Sequence, residues 1–289
     1  MVLLAGTVVA TAEIPVIDDR EILEGFVDRL GAFAERGDLP DSGALKKQAA
    51  EAPAVLKSDR PLTLTSDVAG DPGRSVYVLG SVYQCDKCDE WHIGGLATAW
   101  ALTADGLMVT NQHVFQNPRG AAMGVVDRDG RVHPVVKILA TDEAADIAVF
   151  RVEAGGLAPL RLGPPAAVGS RVRVISHPQR RFFTQTFGHV SRYHVRPARK
   201  HRSESTWMSI TADYAKGSSG GPVLDAENRV VGMVANTKSI YYDSNSGKPE
   251  GPLQMVVKNS VPITAILEVL GLAASSETAS PGPALRAGL

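Results

Sequence analysis

Lys216-Gly217-Ser218-Ser219-Gly220-Gly221-Pro222-Val223-Leu224 is the segment on which the reading of this 289-residue chain turns. Glycines crowd Ser219 on both sides, a composition that lets the backbone approach a substrate and aim neighbouring amides at it. The Gly-x-Ser-x-Gly pattern also fits the nucleophile elbow of an α/β-hydrolase. That fold places its histidine after the serine, whereas all seven histidines here, His92, His113, His133, His177, His189, His194 and His201, precede Ser219. What remains is a serine whose base and orienting acid both lie upstream. Val109-Thr110-Asn111-Gln112-His113-Val114 offers the base and Asp142-Glu143-Ala144-Ala145-Asp146-Ile147-Ala148-Val149 the acid, in the order His, Asp, Ser.

The surrounding texture is one of short Val- and Ile-rich runs separated by Gly, Pro, Asn and Asp, at 76–82, 97–103, 107–110, 135–139, 147–152, 172–175, 207–211, 230–234 and 253–257. Many short strands without interleaved helices predict an antiparallel all-β sandwich or barrel pair. Helices are expected only outside this region. Ile22, Phe26, Leu30 and Phe33 recur at helical spacing between an Asp18 cap and a Gly37 stop, and a weaker Ala- and Lys-rich helix is expected over 42–56. One closing helix is expected over 261–270, capped by Ser260 and ended by Gly271.

Composition sets outer bounds. With 44% hydrophobic and 21% charged residues the chain reads as an ordinary soluble globular protein, and with 6% aromatics its core must be mainly aliphatic. Thirty basic against 31 acidic side chains give a net charge of −1, so no nucleic-acid partner is expected. No run of roughly 18 apolar residues exists to span a bilayer, so no transmembrane segment is expected. Residues 1–12 end in Ala10-Thr11-Ala12 and have the form of a signal-peptide remnant without its positive n-region, which points to a secreted or periplasmic protein. The small, polar, Pro- and Gly-containing segment 273–289 is expected to be a disordered tail.

Taken together, the three segments make the chain resemble the trypsin-like (chymotrypsin-fold) serine peptidases, in the style of the bacterial branch that includes HtrA-type proteases. Thr110-Asn111-Gln112-His113-Val114 matches that branch's Thr-x-x-His-Val, Asp146-Ile147-Ala148-Val149 its Asp-[Ile/Leu]-Ala-Val, and Gly217 to Pro222 its Gly-x-Ser-Gly-Gly-Pro. The resemblance spans 76–270. It implies an all-β fold of two six-stranded antiparallel barrels (66–272) behind an N-terminal helical extension (13–65) and with a short C-terminal helix. It also implies a serine endopeptidase in which Ser219 attacks, His113 is the base and Asp146 orients it, with an oxyanion hole made by the amides of Gly217 and Ser219. Protein or peptide substrates and no cofactor follow from it. The alternative is a catalytically silent trypsin-like scaffold that binds protein, zinc or polyanion; the chain has lost neither a triad member nor the oxyanion glycine.

Two departures stand out. Ser218 occupies the place where animal digestive members carry an Asp that pairs with a freshly cut N-terminus, so the helical extension need not be a propeptide. With 19 residues after Leu270, no PDZ domain of the kind HtrA-type chains carry is expected. Asp213 lies six residues before Ser219, where trypsin has its pocket-base acid, and would select Arg or Lys if it lay at the floor of an apolar slot; otherwise it orders the loop. Ala235, Asn236 and Thr237 are expected to edge the pocket and offer main-chain groups to an extended peptide.

Two features stay outside this scheme. Cys85-Asp86-Lys87-Cys88 with His92 reads as a small disulfide loop, as free thiols or as half a zinc site without a fourth ligand, and no metal is assigned to it. The run 177–203 carries Arg180, Arg181, Arg192, Arg196, Arg199, Lys200 and Arg202 with no acid, and is expected to be a solvated hairpin over 182–195, with an acidic partner as the alternative.

Overall fold

Asp18 accepts hydrogen bonds from the amides of Arg20 and Glu21, both at 3.0 Å, and so caps helix α1 (Asp19–Glu35) as its sequence requires. The computed structural model describes residues 16–57, 61–67, 70–116, 119–198, 203–243 and 250–272; the expected leader (1–12) and tail (273–289) lie outside the described residues. Helix α2 (Ser42–Glu51) is capped by Asp41 and stops short of the expected 56, because Ala52 precedes Pro53 and takes extended geometry (ψ 145°).

Among the described residues twelve strands follow. Strands β1 (Val76–Gln84), β2 (Trp91–Ala101), β3 (Leu107–Thr110), β4 (Ala122–Val126), β5 (Val132–Asp142) and β6 (Ile147–Val152) close a barrel in the order β1-β2-β3-β6-β5-β4. Strands β7 (Arg171–Ser176), β8 (Thr184–Arg196), β9 (Ser205–Ile210), β10 (Pro222–Leu224), β11 (Val230–Asp243) and β12 (Glu250–Pro262) close a second in the order β10-β11-β12-β9-β8-β7. Helix α3 (Ile263–Val269) follows directly. The all-β expectation of two six-stranded antiparallel barrels holds.

Two local expectations need correction. Residues 182–195 are not a hairpin: β8 runs straight through them, paired with β7 up to His189 and with β9 from Val190 to Arg196. Pairing of β8 with β9 runs to Arg196 opposite Ser205, and the next residue is Pro197, whose ring nitrogen has no hydrogen to donate to a ladder. The closing helix likewise begins at Ile263. Ser260 and Val261 are paired with Val234 and Met233 in β12, and Pro262 ends the strand.

One buried cluster joins the barrels, with Trp100, Val109 and Ile147 from the first meeting Ile175, Met233 and Ile266 from the second barrel and α3. Another fastens α1. Ile22, Phe26 and Leu30 pack on Val78, Val82, Ala122 and Val126 of the first barrel and on Phe182 and Phe183 from the loop between β7 and β8. Phe26 and Leu30 are fully buried, each worth about 1.5–3 kcal/mol by removal from water. The helix therefore grips both barrels.

Candidate active site

His113 sits in a short 3-10 turn (Gln112–Phe115) directly after β3, and Asp146 just before β6, on neighbouring strands of the first barrel. The carboxylate of Asp146 accepts from the His113 backbone amide at 3.0 Å and lies 2.8 Å from His113 Nδ1. Asn111 Nδ2 donates to the Asp146 carbonyl at 2.9 Å, fixing a residue held at φ 61°. His113 Nε2 is 3.1 Å from Ser219 Oγ, which comes from the loop ahead of β10 in the second barrel. The three side chains expected to act together form one continuous hydrogen-bonded line across the barrel cleft.

The environment biases that line. Burial alone depresses the His113 imidazole, but its hydrogen bond to Asp146 and the carboxylate's charge outweigh burial and the Arg196 cation, so its pKa rises above the ordinary 6.5. The Asp146 side chain is only 10% exposed, against 41% for His113, so the acid is screened from water while the base stays reachable. Above the acid, Ser205 Oγ and Arg196 of the second barrel both donate to Ala144 O, at 2.8 and 3.2 Å.

Thr98 of β2 registers the serine. Its amide donates to Ser219 O (2.8 Å), its hydroxyl to Gly217 O (2.9 Å), and its carbonyl accepts from Thr110 Oγ1 (2.7 Å). Gly220, at φ +87°, lies so close to Thr98 O and Thr110 Oγ1 that a Cβ has no room. Ser218, where the animal enzymes carry their acid, is fully buried and accepts a hydrogen bond from Ser176 Oγ at 2.9 Å.

The peptide ahead of Gly217 is turned by the loop between β7 and β8. Gln179 N donates to Lys216 O at 2.8 Å, which pulls that carbonyl away and directs the Gly217 amide to the opposite side. Gly217 adopts φ +97° with its Cα against His177 O, a geometry closed to other residues. The loop is itself held under strain: Gln179, Arg180 and Phe183 all have positive φ (50°, 65° and 55°). Asp19 of α1 accepts from Phe182 N at 2.8 Å, and His177 Nδ1 accepts from Phe183 N at 3.0 Å.

Full burial drives the His177 imidazole down to about 3, against a smaller opposing pull from the Tyr77 backbone. The unfolded chain takes this proton near 6.5 and the folded one refuses it until about 3, so stability is present above 6.5 and is lost as pH falls through that window. The full effect is on the order of 4–5 kcal/mol. Urea unfolding from pH 7 to 4 is expected to show this slope, and His177→Gln, which keeps an acceptor for Phe183 N, to reduce it; an unchanged slope counts against the assignment.

The expected specificity residues fare unequally. Asp213 is not a pocket floor: its side chain is 84% exposed and its Oδ1 is paired with Lys258 Nζ at 2.7 Å. The buried neighbour is Tyr214, whose hydroxyl donates to Asn236 O and Asn259 O at 3.2 and 2.8 Å while its ring packs in the core of the second barrel. The basis for an Arg or Lys preference is gone. Ala235, Asn236 and Thr237 do lie beside the serine: Ala235 sits at a register shift of β11 with its carbonyl 3.4 Å from Ser219 Oγ, while Asn236 and Thr237 pair with Asn259 and Lys258. A cleft of about 310 Å³ opens on the other side, where Leu79, Leu96, Val114 and Met123 adjoin His113 and Ser219.

Asn111, Thr98, Gln179 and Asp19 went unnoticed in the sequence. Asn111 stands inside the Thr-x-x-His motif and was within reach of inspection; the other three act through contacts across the fold.

A closed pair of six-stranded antiparallel barrels defines the chymotrypsin-like fold. Residues 97–233 match the family model of the trypsin-like peptidase domain. The chain is 30% identical over 177 residues to a probable periplasmic DegP-like serine endoprotease of Hahella chejuensis, a match covering 60% of this chain and 34% of that one. It is 31% identical over 240 residues to the putative serine protease HhoA of Synechocystis sp., covering 72% and 58%. The chain thus spans about a third of the first relative's length and somewhat under two thirds of the second's. Among solved structures, the HtrA-type protease AlgW with a decapeptide shares the fold at TM-score 0.54 and 20% identity, over 78% of this chain and 66% of that one. Residues 97–233 thus match a trypsin-like peptidase domain, and the chain is similar to HtrA-type serine proteases over part of their length.

Proposed function

We propose that this protein is a serine endopeptidase that hydrolyses peptide bonds through an acyl-enzyme. The observation that carries this reading is the unbroken hydrogen-bonded line from Asp146 through His113 to Ser219, with Lys216 O held aside by Gln179 N. Ser219 Oγ attacks the scissile carbonyl as His113 Nε2 takes its proton, and the tetrahedral oxyanion is received by the amides of Gly217 and Ser219. His113 then passes the proton to the leaving amine. Water, deprotonated by the same imidazole, releases the acyl group and restores Ser219.

The substrate is an extended protein or peptide segment. Its acyl side is supported by the main chain of Ala235–Thr237, which continues beyond the part of β11 that pairs with β10. The apolar cleft formed by Leu79, Leu96, Val114 and Met123 suits the leaving side. Among the described residues no helix is long and apolar enough to cross a membrane. Export to the periplasm or beyond is the localisation we favour, supported by the apolar segment at 1–12 and the periplasmic naming of the DegP-like relative. The full chain is expected to cleave an unfolded protein such as casein and to be labelled once per chain by a fluorophosphonate; failure of both overturns the reading.

Asp19 is a positioning residue in this scheme. It holds Phe182 N, and through the 177–183 loop it keeps Lys216 O turned out of the oxyanion hole. Asp19→Ala is expected to lower kcat by up to about 10²-fold with little change in KM, the loss associated with one oxyanion donor. Asp19→Asn, whose amide oxygen still accepts from Phe182, is expected to restore most of it. Equal loss in both variants, or a loss confined to Tm, counts against the role.

A further inference from the structure

We propose that Cys85, Cys88 and His92 form a zinc site at the tip of the β1–β2 hairpin, with two thiolates and a neutral imidazole as protein ligands and water in the fourth position. The site lies apart from Ser219 and does not depend on the function proposed for it. The three donor atoms lie within 4.8 Å of one another, and Cys88 Sγ is 3.1 Å from His92 Nε2. A tetrahedral ion bound at about 2.3 Å by sulfur and about 2.0 Å by nitrogen spaces such donors about 3.5–3.8 Å apart. The donors already converge on that scale.

The backbone is shaped for the same purpose. Asp89 N donates to Cys85 O and Cys85 N to Glu90 O, both at 3.0 Å, and Asp89 takes φ 56° so that the chain doubles back after the second cysteine. His92 is the cross-strand partner of Tyr83, with ring centroids 5.7 Å apart, which steadies the imidazole over the sulfurs. A disulfide would use the same sulfurs and leave the imidazole, 3.1 Å from Cys88 Sγ, without a role. Two thiolates also neutralise the ion's double charge.

The ion would staple the outer end of β2. Next to His92, Trp91 lies against Gly31 of α1 and donates from Nε1 to Glu35 at 3.1 Å. Further along the strand, Gly94 to Ala97 wall the cleft beside Ser219. Zinc is thus assigned a structural role in holding this hairpin against α1.

Untagged full-length protein, isolated under reducing conditions, is expected to contain about one zinc per chain by elemental analysis. Exchange for Co²⁺ is expected to give the visible bands of a tetrahedral site and a near-ultraviolet sulfur-to-cobalt charge-transfer band. Cys85→Ser and His92→Ala, checked for folding by circular dichroism, are each expected to lower zinc content or affinity by about tenfold or more. The proposal is overturned by zinc below about 0.1 per chain together with no thiolate-to-cobalt band. It is equally overturned by full zinc content in the Cys85→Ser/Cys88→Ser double variant, or by protein isolated without reductant whose mass is about 2 Da low, marking a disulfide.

Discussion

Ser219→Ala is expected to fold with the parent's Tm, to lose fluorophosphonate labelling, and to hydrolyse casein slower by a factor on the order of 10⁶, the scale seen when a triad serine is removed elsewhere. Fold and activity separate cleanly at this position. The loop is held by its backbone, through Thr98 N to Ser219 O, Gly220 N to Val234 O and Gly221 N to Ser218 O, and none of these bonds involves the hydroxyl that is lost. The hydroxyl itself meets His113 Nε2 at 3.1 Å and Ala235 O at 3.4 Å, both at the edge of the open cleft. Calorimetry beside the activity assay checks the separation. Labelling retained in the variant, or a nucleophile found at another residue by mass spectrometry of the labelled parent, refutes the assignment.

Asp146→Asn should lower kcat by about 10⁴-fold, because an amide nitrogen facing Nδ1 selects the tautomer that carries its hydrogen on Nε2, where a lone pair is needed. The substitution is gentle on the fold: Asn tolerates the positive φ that Asp146 adopts (61°), and its carbonyl oxygen still accepts from the His113 amide. It also changes the pH profile in a defined direction. In the parent, Asp146 lifts His113 above 6.5, and since the base must be neutral the acid limb of kcat/KM should have its midpoint above that value. With the carboxylate gone, burial and Arg196 remain, both of which lower the pKa, so the midpoint of the residual activity moves below 6.5. A midpoint that stays put would mean that Asp146 does not govern the imidazole.

What the sequence disclosed follows from the range of the interactions involved. Strands 107–110 and 147–152 match β3 and β6 residue for residue, since their Val- and Ile-rich runs are bounded by turn residues on both sides. Strand β10, three residues long and embedded in the Ser219 motif, carries no periodicity to detect, and β4 is broken to the eye by Gly124. His113, Asp146 and Ser219 were legible because their local motifs and chain order are distinctive. Asp213 misled because sequence spacing says nothing of side-chain direction; a lysine 45 positions on, Lys258, draws its carboxylate outward. Asp19 was illegible for the same kind of reason, its partner Phe182 lying 163 residues away.

The position of Thr98 bears on how the chain matures. Barrel one, which carries both His113 and Asp146, is synthesised first, and a first-formed domain folds as a unit while the rest is still emerging. At that stage Thr98 has no Ser219 or Gly217 to bind. The serine loop is made later, and the Ser219 and Gly217 carbonyls find their partners only when β2 of the first barrel engages them. On the proposed mechanism neither half could cleave by itself, since His113 and Asp146 stand on the first barrel and Ser219 on the second, and a nascent chain would be protected from its own chemistry until the two barrels have docked.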